Sequence, residues 1–241
     1  MADSKVALNT GGSRGLGLEL GRFLGGQGYA LVIDGRDEAA LQAAAGELGG
    51  TGATVVAIAG DVSDAAHRVA LVDAAAELGG LDLLVNNASD LGPSPMPALA
   101  DFPLEALSRV FEVNVSAALV LGQKALPLLR QRSGLIVNIS SDAAVAGYEG
   151  WGGYGASKAA LDLVTVTMAK ELRDYGVSVV SVDPGDMRTQ MHQDAFPGED
   201  ISDRPLPEVT LPFWAWMLNQ EPVTLSGQRF QAQAERWAVA A

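Results

Sequence analysis

The stretch Val6-Ala-Leu-Asn-Thr-Gly-Gly-Ser-Arg-Gly-Leu-Gly17 decides the fold of this chain. Its first four residues form a short, largely apolar run, which predicts a buried strand. A glycine-rich turn follows at once, and apolar residues then recur at helical spacing from about Leu16 to Gln27. Gly28 ends this pattern. A strand, a tight turn and a helix in this order predict the first half of a βαβ unit.

The same alternation of short strands and longer helices continues along the chain. Further strands are predicted at 30–33, 54–59, 82–85, 135–140, 177–182 and 229–232, and further helices at 38–48, 64–78, 104–131 and in a segment that carries Tyr154 and runs to about 175. Strands that alternate with helices make right-handed crossovers and a parallel sheet. The sequence therefore predicts an α/β fold in a single domain over 1–241. Its core would be a doubly wound, Rossmann-like parallel sheet of about seven strands with helices on both faces.

The composition narrows the class of protein and its partners. Hydrophobic residues make up 48% of the chain and charged residues 19%, which indicates a globular protein. The net charge of −13 argues against a nucleic acid or an anionic membrane as a partner. The sequence has no cysteine, and neither His67 nor His192 has a partner at metal-ligand spacing, so no metal site is expected.

Two features predict where the protein works. No apolar run reaches the length that spans a bilayer. Residues Met1 to Lys5 lead directly into the first strand and lack the layout of a signal peptide. We therefore expect a cytoplasmic protein.

The glycine-rich turn predicts a nucleotide site. Gly11, Gly15 and Gly17 let the backbone approach a ligand closely, and the helix N-terminus behind them favours a pyrophosphate. The spacing differs from the usual G-x-G-x-x-G pattern. An alternative is that these glycines serve only tight packing of the helix on the sheet.

Tyr154 and Lys158 are a candidate catalytic pair. They are four residues apart, so in a helix both side chains lie on one face, one turn apart. The pKa of a tyrosine phenol is ordinarily about 10. A lysine ammonium at about 4 Å, at an effective dielectric of about 20, would lower that pKa by about three units. This predicts a tyrosine that acts as a general acid or base, whereas the alternative is a solvated helix face.

These motifs occur together with others in a familiar order. From about residue 5 to 190 the chain contains Thr10–Gly17, Asp61-Val62, Asn86-Asn-Ala88, Asn114 within Glu112-Val-Asn-Val115, Ser141 thirteen residues before Tyr154, Lys158, and Pro184-Gly185. In this order and spacing the set resembles the short-chain dehydrogenase/reductase family. The resemblance implies an oxidoreductase that transfers a hydride between NADP(H) and a carbonyl or alcohol substrate of low molecular weight.

The resemblance also implies catalytic roles. Tyr154 would be the general acid or base, and Lys158 would lower its pKa and hold the nicotinamide ribose. Ser141 would hydrogen-bond the substrate oxygen. Ser140 is the rival for this role, but neighbouring side chains at a strand end point in opposite directions, and the thirteen-residue spacing to Tyr154 favours Ser141. Asn114 would fix the lysine through a water and relay protons.

The cofactor contacts that the resemblance implies lie at several strand ends. They are Gly11, Ser13, Arg14, Gly15, Leu16, Gly17, Arg36, Asp61, Val62, Asn87, Ala88, Tyr154, Lys158, Pro184, Gly185 and Thr189. NADP(H) is expected rather than NAD(H). The acidic residue that binds the 2′-hydroxyl in NAD enzymes is replaced here by Gly35, and Arg36 and Arg14 could bind a 2′-phosphate. Asp34 is harmless to that phosphate if it points inward but would repel it if it faces the ribose.

Some positions depart from the family pattern. Ser89 replaces the glycine that usually follows Asn-Asn-Ala, and Asn9 stands in the first strand where an apolar residue is usual. We expect neither to touch the four catalytic residues. The apolar last strand is replaced by Arg229-Phe-Gln-Ala-Gln233. His67 is expected to be an exposed helix residue, and His192 could contact the substrate.

The segment 187–222 is predicted to be a lid over the substrate. It is broken by Pro197, Pro205, Pro207 and Pro212 and carries methionines and aromatic residues, which favours an adaptable apolar surface and a bulky aromatic or alicyclic substrate. The alternative is that it only packs on the core. Trp214 and Trp216 are interpreted as core or subunit-contact residues.

The helices that begin near Leu104 and that carry Tyr154 have more apolar positions than one buried face requires. The family resemblance implies that they pair with those of a neighbour, so a homodimer or homotetramer is expected. A catalytically silent redox sensor of the same fold is the alternative function. Such a protein would have lost part of the Asn114, Ser141, Tyr154 and Lys158 set, and this chain keeps all four.

Overall fold

The computed structural model describes residues 4–239, so the parts of the domain and signal-peptide predictions that fall on Met1–Asp3 and Ala240–Ala241 lie outside the described residues. Its centre is one parallel sheet of seven strands, which confirms the predicted doubly wound α/β fold. The strands are β1 (Val6–Asn9), β2 (Ala30–Gly35), β3 (Val55–Ala59), β4 (Leu83–Asn86), β5 (Leu135–Ile139), β6 (Ser178–Asp183) and β7 (Arg229–Gln231).

The order of the strands creates a crevice at one edge of the sheet. The order is β3-β2-β1-β4-β5-β6-β7, so the chain winds outward in both directions from the adjacent strands β1 and β4. Leu8 of β1 lies opposite Val32 of β2 on one side and Leu84 of β4 on the other. Because all strands are parallel, their carboxyl ends meet at the same edge, and ligands bind there in folds of this kind.

Helices cover both faces of this sheet. They are α1 (Gly15–Gly26), α2 (Glu38–Gly49), α3 (Ala65–Glu77), α4 (Leu104–Phe111), α5 (Ala118–Arg132), α6 (Gly152–Glu171), α7 (Gln190–Ala195), α8 (Leu211–Leu218) and α9 (Pro222–Leu225). Local sequence sets some of their ends, since Asp37 and Asp64 cap α2 and α3 by accepting backbone hydrogen bonds. Among the helices of residues 4–239, none has the length and apolar character needed to cross a membrane.

Alternate strand residues supply the two hydrophobic layers of the core. Leu31 and Ile33 of β2 face the layer that contains α1, α2 and α8. Ala30 and Val32 face the layer that contains α3, α5 and α6. This period of two explains why the central strands are apolar on both sides.

The helix predicted over 104–131 is not continuous. The segment Glu112–Ala117 forms a π-helical turn between α4 and α5, and Asn114 lies within it. A π turn widens the backbone by one residue, and such turns often occur at functional sites. Apolar periodicity does not reveal this local widening.

The C-terminal segment is more ordered than its prolines suggest. Helix α8 buries Phe213, Trp214 and Met217 completely in the first core layer. The Trp214 ring meets Phe213 at 5.4 Å between centroids, and its Nε1 donates to the Thr210 hydroxyl at 3.1 Å. Trp214 is therefore a core residue, and α8 belongs to the scaffold.

We expect Trp214→Ala to lower the free energy of unfolding by about 3–5 kcal/mol, because it leaves a large cavity in the core. The matched control is Val223→Ala, which truncates a side chain that is 70% exposed and should change stability by less than about 0.5 kcal/mol. Urea denaturation measures both. Equal effects of the two substitutions would contradict the placement of α8 in the core.

Candidate active site

A cleft of about 320 Å³ opens at the carboxyl edge of the sheet. Its walls contain all of the cofactor contacts inferred from the sequence, together with Ser141 of the catalytic set. Asn114 is the one predicted site residue that does not line the cleft. Within residues 4–239, no group of three or more acidic or histidine side chains is arranged to hold a metal ion.

The glycine turn between β1 and α1 forms one end of this cleft. Gly11 and Gly15 have positive φ angles of 68° and 54°, which side chains rarely adopt. A Cβ atom on Gly17 would overlap the carbonyl oxygen of Gly11. Arg14 caps α1 without a side-chain hydrogen bond to the described part of the chain. The first N–H groups of α1 are therefore free for an anion, and the turn fits a pyrophosphate.

Three polar side chains hold the turn in place. The Asn9 amide donates to the carbonyl of Gly17 at 2.7 Å. The Asn87 amide donates to the carbonyl of Thr10 at 2.8 Å, and the Gly11 N–H donates to the Asp34 carboxylate at 2.6 Å. The departure at Asn9 thus has a structural reason, since an apolar residue there could not bind Gly17.

The interpretation of His67 as an exposed residue is wrong. Its side chain is buried, and Nε2 lies 3.0 Å from the Asp34 carboxylate. Asp34 is buried as well, with one oxygen on Gly11 and the other on His67. The open question about Asp34 is thereby answered: it points inward. This pairing joins residues 33 positions apart, which no local pattern in the sequence reveals.

Asp61 lies on the far wall of the cleft with a partner that the sequence did not indicate. Arg109 of α4 forms an ion pair with Asp61, and the Ser63 N–H donates to the same carboxylate at 2.9 Å. Burial alone would raise the pKa of Asp61, but the bonds from Ser63 and Arg109 hold it below its usual value. Asp61 is therefore a fixed anion beside the predicted adenine position.

Helix α6 places Tyr154 and Lys158 in the cleft. Lys158 is only 2% exposed, and its ammonium donates to the carbonyl of Ile139 at the end of β5, at 2.8 Å. Burial lowers the pKa of Lys158 to about 8, and the negative charge of Asp162 one turn further partly opposes this. Lys158 is thus a buried group that is still mostly cationic at neutral pH.

The expected lowering of the tyrosine pKa is wrong for this structure. Burial raises the pKa of Tyr154, and the negative charge of Asp183 adds to the rise. The hydroxyls of Ser89 and Ser141 face the phenol and act in the opposite direction, but burial outweighs them. The Lys158 ammonium lies 5.4 Å from the centre of the tyrosine ring and is engaged by Ile139. Tyr154 is therefore a neutral phenol at physiological pH.

The two serines at the end of β5 differ in their surroundings. Ser141 faces the phenol of Tyr154, and its hydroxyl donates to the Asp142 carboxylate at 3.1 Å. Ser140 is buried, and its hydroxyl has no hydrogen-bond partner among residues 4–239. This arrangement supports the choice of Ser141 over Ser140.

Asn114 lies behind the cleft wall and is held by four hydrogen bonds. Its amide donates to the carbonyl of Asp90 and to the Ser157 hydroxyl, both at 2.9 Å. Its carbonyl oxygen accepts from the N–H of Asp90 at 2.7 Å and from the Ser89 hydroxyl at 3.1 Å. Asn114 therefore ties the segment after β4 to α6. The expectation that Ser89 would not touch the catalytic set is wrong, since Ser89 contacts Asn114 and faces Tyr154.

Arg229 is a further residue that the motifs did not identify. From β7 its guanidinium contacts Asp162 at 3.0 Å, Asp183 at 3.1 Å and the carbonyl of Ser141 at 2.8 Å. It neutralises two carboxylates near Lys158 and fixes the backbone of Ser141. The replacement of the usual apolar last strand was the only sequence signal for this contact.

Aromatic side chains line the cleft beyond Tyr154. Trp151 meets the Tyr154 ring edge-on at 5.7 Å, and Phe196 lies 6.0 Å from Trp151. His192 stacks on Phe196 at 5.0 Å, and burial lowers the pKa of His192. Met191 and Leu91 complete this apolar part of the wall. The start of the segment 187–222 thus lies at the site, unlike α8.

Comparison with known proteins assigns the family. A profile of the short chain dehydrogenases matches residues 5–200. The chain belongs to the short-chain dehydrogenase/reductase family. An uncharacterized oxidoreductase of Staphylococcus epidermidis is 36% identical over 205 residues, covering 83% of this chain and 84% of the relative. A 3-beta-hydroxysteroid dehydrogenase of Comamonas testosteroni is 36% identical over 197 residues, which cover 80% of this chain and 75% of that relative.

A solved structure of another short chain dehydrogenase has the same fold. A protein of Escherichia coli CFT073 that is assigned to the short chain dehydrogenases and complexed with NADPH matches with a TM-score of 0.87. It is 29% identical, and the match covers 95% of this chain and 97% of the other. The protein described here is thus an oxidoreductase of this family, with a turn that fits the pyrophosphate of a nicotinamide nucleotide.

We expect Gly17→Ala to weaken NADPH binding by at least about tenfold and to destabilise the fold by about 1–3 kcal/mol, because the new Cβ displaces the turn. The matched control on the same helix is Gly26→Ala, where a Cβ meets nothing within 4 Å. Thermal unfolding and quenching of protein fluorescence by NADPH measure the two effects. Unchanged NADPH affinity in Gly17→Ala would contradict the assignment of the turn.

Proposed function

We propose that this protein transfers a hydride between NADP(H) and a carbonyl/alcohol pair, with Tyr154 as the general acid or base. One observation carries the proposal: the Tyr154 phenol, the Ser141 hydroxyl and the Lys158 ammonium lie in the same cleft as the glycine turn. An acid, an oxyanion donor and a cation beside a nucleotide cradle suit reduction of a carbonyl group.

The cofactor would lie along the carboxyl edge of the sheet. The glycine turn and the start of α1 would bind the pyrophosphate, and Lys158 the nicotinamide ribose. The remaining contacts would be Asp61 and Val62 at the adenine, Asn87 and Ala88 at the adenosine ribose, and Pro184, Gly185 and Thr189 at the nicotinamide. When bound, the nicotinamide ring supplies or accepts the hydride.

The chain's own residues manage the proton and the charge on oxygen. Because Tyr154 is neutral at physiological pH, it can donate its proton to the carbonyl oxygen during reduction. Ser141 donates a hydrogen bond to the same oxygen as negative charge develops there. Lys158 contributes a positive charge close to the phenolate that remains. Asn114 holds α6, which carries Tyr154 and Lys158, through its hydrogen bond to Ser157, and it holds the segment after β4 through its hydrogen bond to Asp90.

We expect Tyr154→Phe to reduce kcat by at least about a hundredfold, because the ring remains and only the proton donor is lost. NADPH affinity should stay within about twofold of the wild type. Lys158→Ala should reduce both kcat and NADPH affinity. Steady-state reduction of a panel of ketones, with NADPH binding by fluorescence, measures these effects.

The control for this prediction is Tyr175→Phe, which removes the hydroxyl of an exposed tyrosine outside the cleft. It should leave kcat unchanged. If Tyr154→Phe retains more than a few per cent of the wild-type kcat, the proposed acid is wrong.

NADPH should be preferred over NADH. Gly35 carries no carboxylate at the end of β2, and the neighbouring Asp34 is turned inward onto Gly11 and His67. Arg36 and Arg14 line the same cleft and are exposed. Two guanidiniums beside a phosphate dianion favour its binding. The relative from Escherichia coli CFT073 was also solved with NADPH.

We expect Arg36→Ala to raise KM for NADPH by roughly tenfold, because one charge-assisted hydrogen bond to the 2′-phosphate is lost. KM for NADH, which lacks that phosphate, should change by less than about twofold. Arg173→Ala is the control, since it removes an exposed arginine outside the cleft. Comparable KM values for the two nucleotides, unchanged in Arg36→Ala, would contradict the proposed preference.

The substrate proposed for this site is a bulky aromatic or alicyclic carbonyl compound. The wall beyond Tyr154 is formed by Trp151, Met191 and Leu91, which offer large apolar surfaces, and Phe196 packs against Trp151. The name of the Comamonas testosteroni relative specifies a steroid substrate for that protein. We propose that residues 187–196 form the lid, while α8 is scaffold.

We also propose that the protein works as a homodimer or homotetramer. Leu104 of α4 is 76% exposed and Leu163 of α6 is 69% exposed, and Val166 lies on the same helix as Leu163 with 36% exposure. These apolar side chains are on the two helices expected to pair with a neighbour. The silent-sensor alternative receives no support from a cleft in which Tyr154, Lys158 and Ser141 converge.

A further inference from the structure

Ser89 stands beside two members of the catalytic set. It follows β4 by three residues, is partly buried and lines the cleft. Its hydroxyl donates to the carbonyl oxygen of Asn114 at 3.1 Å. Ser89 lies in the same cleft as the phenol of Tyr154 and acts to lower the pKa of that phenol. The glycine usual at this position in the family could make neither contact.

The chemistry of these partners fixes the direction of each hydrogen bond. The carbonyl oxygen of Asn114 only accepts, so Ser89 gives it its single proton and can accept from the neutral phenol. Once Tyr154 has lost its proton, the phenolate is the stronger acceptor, because a charge-assisted hydrogen bond is roughly twice as strong as a neutral one. The Ser89 hydroxyl then turns from Asn114 to Tyr154.

This rotation leaves no group unsatisfied. The carbonyl oxygen of Asn114 keeps the hydrogen bond from the N–H of Asp90 at 2.7 Å. The amide of Asn114 keeps its bonds to Asp90 and Ser157. Because a buried acceptor with no partner would be costly, this second bond to Asn114 lets the hydroxyl move at little cost.

We propose that Ser89 is a further catalytic residue whose hydroxyl shifts its hydrogen bond from Asn114 to the phenolate as Tyr154 gives up its proton. Its effect is selective for the charged form of the phenol, so it favours proton transfer rather than substrate binding. The inference rests on the proposed function of Tyr154. Ser141 and Ser89 then flank the phenol, with Ser141 directed to the substrate oxygen and Ser89 to Tyr154 alone.

Other charges also act on the phenol and must be held constant in a test. Asp142 follows β5, Asp183 ends β6 and Lys158 lies one turn along α6. Asp142 and Asp183 both raise the pKa of Tyr154. Substitution of Ser89 leaves all three in place, so a change in the titration of Tyr154 reports the hydroxyl.

The experiment measures kcat/KM for oxidation of α-tetralol at saturating NADP⁺ as a function of pH. In this direction Tyr154 must be ionised, so kcat/KM rises with pH. The positive charge of a bound nicotinium ring would lower the pKa of Tyr154 from its value in the ligand-free protein, and the midpoint reports this lowered pKa. We expect Ser89→Ala to move the midpoint upward by about 0.5–1 pH unit and to lower kcat/KM below the midpoint by about three- to tenfold. Ser89→Thr keeps the hydroxyl and should restore the wild-type midpoint.

Ser157→Ala is the matched control for a purely structural role. Ser157 binds the amide of the same asparagine at 2.9 Å, and its hydroxyl donates to the backbone carbonyl of Tyr154 rather than to the phenol. Its removal should leave the midpoint in place. If Ser89→Ala folds poorly, Ser89→Gly, which carries the residue usual in the family, must give the same upward shift.

Four outcomes would contradict these proposals. A midpoint that stays in place in both Ser89→Ala and Ser89→Gly, or one that moves equally in Ser157→Ala, would mean that Ser89 only holds Asn114 in place. Turnover that persists in Tyr154→Phe would instead refute the proposed function. An absence of wild-type turnover with α-tetralol and with every other bulky secondary alcohol tested would refute both.

Discussion

A buried positive charge is the constraint on which the rest of the site depends. Lys158 is 2% exposed, and an ammonium group so far from water is unfavourable unless hydrogen bonds and nearby anions compensate. The carbonyl of Ile139 at the end of β5 supplies the hydrogen bond, and Asp162 supplies the anion. Arg229 in turn binds both Asp162 and Asp183, so the last strand of the sheet completes the network.

The parallel sheet brings these groups and the nucleotide turn to one place. The chain leaves the adjacent carboxyl ends of β1 and β4 in opposite directions along the sheet, and the turn that carries Gly11 and Gly17 lies beside this point. The ends of β5 and β6 lie next in the sheet and carry Ser141 and Asp183. Burial then sets the chemistry, since it keeps Tyr154 protonated and lowers the pKa of Lys158 to about 8.

Much of this was predictable because strand and helix periods are local properties of the sequence. The alternation of apolar strands and helices predicted the sheet, and the spacing of Tyr154 and Lys158 predicted their common face. Contacts between distant residues were not predictable, because they depend on strand register and helix rotation. Asp34 with His67, and Arg229 with Asp162, join residues 33 and 67 positions apart. For the same reason, spacing alone predicted the wrong direction for the tyrosine pKa.

We propose that Tyr154 enters the reaction as a neutral phenol, because burial raises its pKa more than the nearby ammonium can lower it. The most direct test is carbon NMR of protein labelled at the tyrosine Cζ, with Tyr154→Phe to assign the signal. In the ligand-free protein the Tyr154 signal should remain that of a neutral phenol above pH of about 10, the ordinary tyrosine value. Ionisation of Tyr154 near neutral pH in the absence of cofactor would contradict the account.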